Sequence, residues 1–273
     1  MEREEKLMKS NKWKFLLTGA ATLTLLTACT QASSQSATTS NTPQTTATTT
    51  SNSKTDSSNY FTDKDKDTSY DESTASTVKL SGSSASVSGD GVAVSGSTVT
   101  ISKAGTYVIS GESNGVQIKV EADDSDDVHI VLKGVTMTNT NAPISATKAG
   151  HVYLTLADGT TNTLSDSSSN SDEDADAVIF SKGDLTINGS GTLNIDAKKN
   201  NGIKANDTLH ITGGTYKITA VGDAFNVNDE LNITGTTMTI DADEDAVKVD
   251  NDEDTSVGTM YLSDNTITIS AGD

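Results

Sequence analysis

From Asp176 to Asp273 the chain repeats itself, and no other feature limits its fold as much. Split at corresponding points it reads AVIFSKGDLTINGSGTLNIDAKKNN, GIKANDTLHITGGTYKITAVGD, AFNVNDELNITGTTMTIDADED and AVKVDNDEDTSVGTMYLSDNTITISAGD. A unit of about 22 residues falls in the range of solenoid repeats. Each unit holds three short alternating segments, clearest as Ile203-Lys204-Ala205, Leu209-His210-Ile211 and Tyr216-Lys217-Ile218, separated by Gly, Asn, Asp and Thr. Alternation with turn residues between reads as strands, and no helical period is present.

Like residues recur at like positions. Val178, Ile203, Phe225 and Val247 form a first column, Leu185, Leu209, Leu231 and Met260 a second, and Leu193, Tyr216, Met238 and Ile267 a third. These columns are expected to point inward. Three strands and three corners per unit predict an all-β chain, wound as a right-handed parallel β-helix in which each coil is the crossover that parallel strands require. An antiparallel sandwich would also alternate, but gives no reason for a fixed spacing. Val128–Leu132 and Val152–Leu156 are alternating runs of the same kind, so the winding is expected to begin before Asp176. Ser81 to Gly96 then caps its start, and Ser165 to Asp174 forms a polar corner insertion.

Upstream the composition changes twice. Lys9, Lys12 and Lys14 precede an apolar run from Phe15, closed by Leu26-Thr27-Ala28-Cys29. That pattern predicts a lipoprotein signal peptide over 1–28, with Cys29, the single cysteine of the chain, lipidated at the mature N-terminus. Residues 29–59 are rich in Ser, Thr, Gln and Asn and are expected to be a disordered stalk. The folded region is expected over 60–273. Because Ser270-Ala271-Gly272-Asp273 matches Ala220-Val221-Gly222-Asp223, the sequence stops where another coil should start, and the C-terminus reads as truncated. At the other end, Asp63, Asp65 and Asp67 have the spacing of half an EF-hand loop. Thr68 stands where that loop needs Gly and Thr74 where it needs Glu, so the segment reads as a solvated lead-in strand.

The formal charge is −19, and near −21 once residues 1–28, with five basic and three acidic side chains, are removed. DNA, RNA and anionic lipid surfaces are poor partners for such a chain. The three histidines, His129, His151 and His210, have no second ligand at metal spacing, and His129 and His210 read as solvated strand residues. The carboxylates instead gather at corners. Asp176, Asn201, Asp223, Asp245 and Asp273 follow third strands, while Asp184, Asp207, Asp229 and Asn251 precede second strands. Stacked acids repel, and bound cations would relieve them. Calcium fits best, taking carboxylate, amide and carbonyl oxygens with loose geometry, and an ion bound only to the folded form stabilises it. The expected ligands are first Asp223, Asp243 and Asp245, then Asp207, Asp229 and Asp250.

Phe180-Ser181-Lys182-Gly183-Asp184-Leu185-Thr186-Ile187-Asn188-Gly189, Gly202-Ile203-Lys204-Ala205-Asn206-Asp207 and Ile211-Thr212-Gly213-Gly214-Thr215 carry a resemblance, supported upstream by Ala104-Gly105-Thr106-Tyr107 and Asn162-Thr163-Leu164. From about Tyr60 onward the chain resembles the bacterial carbohydrate-binding-domain family typified by clostridial cellulose- and pectin-binding surface proteins. The resemblance implies a lyase-like β-helix, calcium at its corners, and binding of plant or matrix polysaccharide without catalysis. The expectation is therefore a monomeric, membrane-anchored extracytoplasmic module that holds acidic glycan through calcium. A calcium-dependent uronate lyase is the alternative, with Lys204 or Lys248, placed in an outward column with Ile179 and Asn226, as base. Against it, the mature chain lacks the arginine that such sites use to grip a carboxylate. A structural adhesin is a third reading.

Overall fold

Within the repeats, strands pair with the strand one repeat unit away, not with their neighbours in sequence. The computed structural model describes residues 45–50 and 59–272. The expected signal peptide, Cys29, most of the stalk and Asp273 lie outside them. Three parallel ladders hold most of the strands among the described residues. The first runs through Thr98–Ile101, Gln117–Glu121, Ile144–Lys148, Ala177–Ser181, Asn201–Ala205, Phe225–Val227 and Val247–Val249. The second runs through Gly105–Asn114, Asp127–Thr138, His151–Leu156, Leu185–Gly189, Thr208–Thr212, Glu230–Thr234 and Thr259–Ser263. The third runs through Thr161–Ser165, Thr192–Ala197, Thr215–Ala220, Thr237–Ala242 and Thr266–Ala271. The long strand Asp127–Thr138 belongs to both of the latter, pairing His151–Leu156 through its first half and Thr161–Ser165 through its second.

The chain is thus all-β, with parallel ladders throughout the repeats, and the sandwich alternative does not hold. Register confirms the second and third expected columns: Leu185, Leu209, Leu231 and Met260 stack, as do Leu193, Tyr216, Met238 and Ile267. In the first column the expectation was one residue off. Ile179, not Val178, pairs with Ile203, which pairs with Phe225 and then Val247. Ala177 to Phe180 are all buried on both faces, so alternation gave no sign of the phase there. The earlier start of the repeat is also seen, since Val128 pairs directly with Val152.

Aliphatic residues from all three ladders form one continuous core, including Ile118, Ile130, Leu154, Ile187, Ile203 and Ile218. Corners between ladders need tight backbone approach. At Gly189, with φ +102°, an added Cβ would sit 2.3 Å from the Leu156 carbonyl oxygen, so no other residue fits. The start is closed by antiparallel strands, Ser84–Ser88 on Ser76–Gly82 and Val92–Ser95 on Thr98–Ile101. Near the C-terminal end an apolar cavity of about 300 Å³ opens between Phe225, Ile240, Val247, Met260, Leu262 and Ile269.

Three expectations about the connecting segments need correction. Residues 45–50, assigned to an unstructured stalk, form the strand Thr45–Thr50, antiparallel to Thr266–Ala271. Threonine-rich sequence suits a strand once an unpaired edge offers it hydrogen bonds. The corner Ser165 to Asp174 is not merely polar surface. Asp166 and Asn170 are buried, Asp166 accepts from the Lys198 amide at 2.6 Å, and Ala175 packs on Phe180. Third, Tyr60 to Tyr70 is not a solvated strand. It crosses the outer surface of the second ladder as a strap, with Phe61 and Asp65 buried.

Candidate functional site

The strap is shaped locally by one helical turn, Asp63–Lys66. Thr62 caps it, accepting from the Asp65 amide at 3.2 Å, while the Asp65 carboxylate takes the Thr62 amide at 2.7 Å. This fixes Asp65 toward the sheet and leaves Asp63 and Asp67 exposed. The EF-hand-like spacing therefore builds no ion loop: Asp65 points into the protein, and Asp67 accepts from Ser69.

Beneath the strap, outward side chains of the second ladder form two columns. Register stacks Thr106, His129, Tyr153, Thr186, His210, Asn232 and Tyr261 in one, and Val131, Thr155, Asn188, Thr212, Thr234 and Ser263 in the other. The strap follows them. Tyr60 stacks on Tyr261 with centroids 3.8 Å apart, Phe61 meets the His210 ring edge-on at 5.5 Å, and Tyr70 meets His129 at 6.5 Å. Thr186 donates to the Asp65 carboxylate at 2.6 Å, and His210 Nδ1 lies 3.2 Å from its other oxygen. Burial alone would raise the Asp65 pKa, but the contacts from His210, Thr186 and Thr62 outweigh it and hold the carboxyl well below its usual range.

His129 and His210 do project outward, as expected, but neither is freely solvated. His129 shares a 2.7 Å hydrogen bond with Thr155, and His151 shares one of 2.8 Å with Thr186 while stacking on Tyr153. Burial pushes the His129 and His151 imidazoles below their ordinary value. All three histidines of the chain thus lie on one face. No spacing in the sequence brings them together, because the face is assembled from strands a repeat apart. Beside the strap, a cleft of about 260 Å³ opens between Lys64, Asp67, Ser69, Asp127, His129 and Tyr153. Lys64 bridges it, pairing with Asp127 and lying 4.6 Å over the Tyr153 ring.

The expected calcium ligands lie elsewhere, at the two ends of the first ladder. The register of Ile203 on Phe225 and Phe225 on Val247 stacks Asn201, Asp223 and Asp245, with Asp176 one position out of line. Their side chains serve the backbone. Asn201 Oδ1 accepts from the Asp223 amide at 3.3 Å, and Asp223 Oδ1 accepts from the Asp245 amide at 3.1 Å. Asp243 and Asp245 are exposed. At the opposite end, Asp207 and Asp229 stack, and Asn251 donates to Asp229 at 2.7 Å. Burial, then the charges of Asp184 and Asp229, raise the Asp207 pKa. Asp250 sits 3.9 Å from Lys248. The strand Phe225–Val227 holds the two columns apart, up to about 20 Å at 3.3 Å per residue. A single ion therefore cannot draw ligands from both columns, and the expected set Asp223, Asp243 and Asp245 is separated from Asp207, Asp229 and Asp250. Among the described residues no three His, Cys, Asp or Glu gather closely enough to hold a metal ion by themselves. Beside Asp207 a cleft of about 440 Å³ is lined by Asp124, Thr147, Lys148, Lys182 and Gly183. The outward column named for the lyase reading is Phe180, Lys204, Asn226 and Lys248, since Ile179 points inward. Lys204 is engaged by Asp176 at 2.7 Å.

Stacked parallel ladders with buried polar columns on an outer face make a repeat protein with extended outer faces. A family model described as carbohydrate-binding domain-containing protein matches residues 95–273, and the chain belongs to that family. A relative from Acetivibrio thermocellus with the same description is 38% identical over 125 residues, covering 44% of this chain and 44% of that relative. The chain therefore aligns with less than half of that relative's length. A solved structure, described as a polysaccharide lyase-like protein from C. thermocellum in a gadolinium derivative, superposes with a TM-score of 0.68 at 34% identity, over 71% of this chain and 81% of that one.

Proposed function

We propose that the chain is a surface-tethered polysaccharide-binding module for acidic glycans, working with calcium, whose ladders wind as a right-handed parallel β-helix. The observation that carries the proposal is that the family match, residues 95–273, covers most of the stacked repeats. The lyase-like description of the similar structure supports the β-helix and a polysaccharide ligand.

Calcium is assigned to the Asp207 corner. There Asp184 and Asp229 act unfavourably on Asp207, so a cation would relieve like charge, while both Asp223 oxygens are already engaged, by the Asp245 amide and the Asn226 side chain. With fewer than three acidic ligands at one point, the ion's shell needs further oxygens. A glycan carboxylate lying in the cleft beside Asp207 would supply them, and Lys148 and Lys182 would attract it. Glycan and ion would then bind together.

The tether is assigned to Cys29 through lipidation outside the cytoplasmic membrane, and Cys29→Ala should release the protein from the detergent phase. The test of function is binding to polygalacturonate with millimolar calcium, magnesium or EDTA. Calcium-dependent binding weakened by Asp207→Asn is expected. Binding that is equal in EDTA would remove the calcium bridge, and failure to bind any polysaccharide would overturn the module itself. Unsaturated uronate absorbance appearing in the same incubation would establish the lyase instead.

A further inference from the structure

On the outer surface of a ladder polar side chains are ordinarily solvated, yet Thr186, Asn188 and Asn232 are at most 1% exposed. The strap buries them, and their donors are spent on its oxygens. Thr186 donates to the Asp65 carboxylate at 2.6 Å, and Asn188 to the Asp65 and Asp67 carbonyls at 3.1 and 3.0 Å. Thr212 donates to the Asp65 carbonyl at 2.8 Å and Asn232 to the Tyr60 carbonyl at 3.0 Å. The face is thus a row of donors receiving one carboxylate and a line of neutral oxygens from an extended chain. The strap's apolar grip is confined to three rings near its ends: Phe61 is buried and Tyr60 and Tyr70 are half-buried, while most of residues 62–69 are exposed.

We infer that this trough is a binding site for a linear, uronate-bearing polysaccharide, and that the strap is its displaceable internal occupant, with Asp65 standing where a sugar carboxylate sits. The inference rests on the carbohydrate-binding reading above but concerns a different face from the Asp207 corner. A polyuronate repeats what the strap presents, a carboxylate flanked by hydroxyl and ether oxygens along an extended chain. Thr186, Asn188, Thr212 and His210 would receive it. Because strap and glycan exclude each other, the apparent affinity is reduced by the fraction of molecules whose trough is open. Weakening the strap should therefore strengthen binding.

The deciding measurement is hydrogen exchange of the full chain with and without saturating polygalacturonate. Amides of residues 60–70 are expected to exchange faster when glycan is bound, with Leu185–Gly189 and Thr208–Thr212 staying protected. In parallel, Asp65→Asn removes charge-assisted hydrogen bonds and should tighten binding about tenfold. Asp63→Asn makes the same charge change on an exposed strap residue and should leave affinity at the wild-type value. Glycan binding that leaves strap exchange unchanged or slower overturns the inference while the carbohydrate reading stands, as does an equal gain from Asp63→Asn. Equal strap release by a neutral cello-oligosaccharide overturns the carboxylate assignment. No glycan binding by wild type or Asp65→Asn overturns both readings. If Asp65→Asn does not fold, the exchange measurement on the wild-type chain decides alone.

Discussion

The second and third ladders share a register and an inward face, and differ almost entirely outside. Inward, Leu185, Ile187, Leu209 and Ile211 of the second match Leu193, Ile195, Tyr216 and Ile218 of the third, all at most 2% exposed. Outward, the third ladder shows Thr215, Lys217 and Thr219, then Thr237, Thr239 and Asp241, every one exposed. The second shows Thr186, Asn188, Thr212 and Asn232, all buried. What separates the two is eleven residues of strap lying on one and not on the other. An outer face of a repeat protein is therefore not defined by its own sequence alone.

The largest effects should be common to both ladders. Ile187→Ala and Ile218→Ala each empty a fully buried site and should each cost about 2–5 kcal/mol in chemical denaturation. Similar losses would show that the two inward faces are equivalent, and a nearly silent change on either side would break that equivalence.

Intermediate effects should distinguish the outer faces. Asn188→Ala removes the side-chain donor to the Asp67 carbonyl and one of two to the Asp65 carbonyl, where Thr212 remains, and should cost about 1–3 kcal/mol. Lys217→Ala, at an exposed position of the third ladder, should stay within about 0.5 kcal/mol. Equal costs in thermal or urea unfolding would mean that the strap does not hold the second face.

The smallest effect is a pH dependence confined to the covered face. Burial holds the His129 and His151 imidazoles below their ordinary 6.5, with Asp67 and Asp184 pulling partly in the other direction. As pH falls the unfolded chain takes up these protons first, so stability is full above about 6.5 and declines below it. His129→Gln should flatten that part of the profile of unfolding free energy against pH. An unchanged slope would place the titration elsewhere.

Much of this was legible beforehand. A period of two marks strands, a unit of about 22 residues marks stacking, and the family resemblance stood in the Phe180 to Thr215 motifs. The phase slipped only at Ala177–Ser181, where both faces are buried and alternation disappears. The carboxylate columns were found, but not what they do. A sequence shows that Asp223 and Asp245 recur, and not that the first spends its oxygen on the amide of the second.

The sequence by itself determined the inward columns, because each inward residue meets its counterpart one unit away and only repeated apolar residues can fill a continuous core. Tertiary structure alone decided which outer face is covered. Thr, Asn and His read the same whether solvated or buried, and the partners that bury Thr186 and Asn232 stand 121 and 172 positions away in the chain. Hydrogen bonds at that separation leave no periodic trace, so the trough and its strap emerge only when the chain is folded.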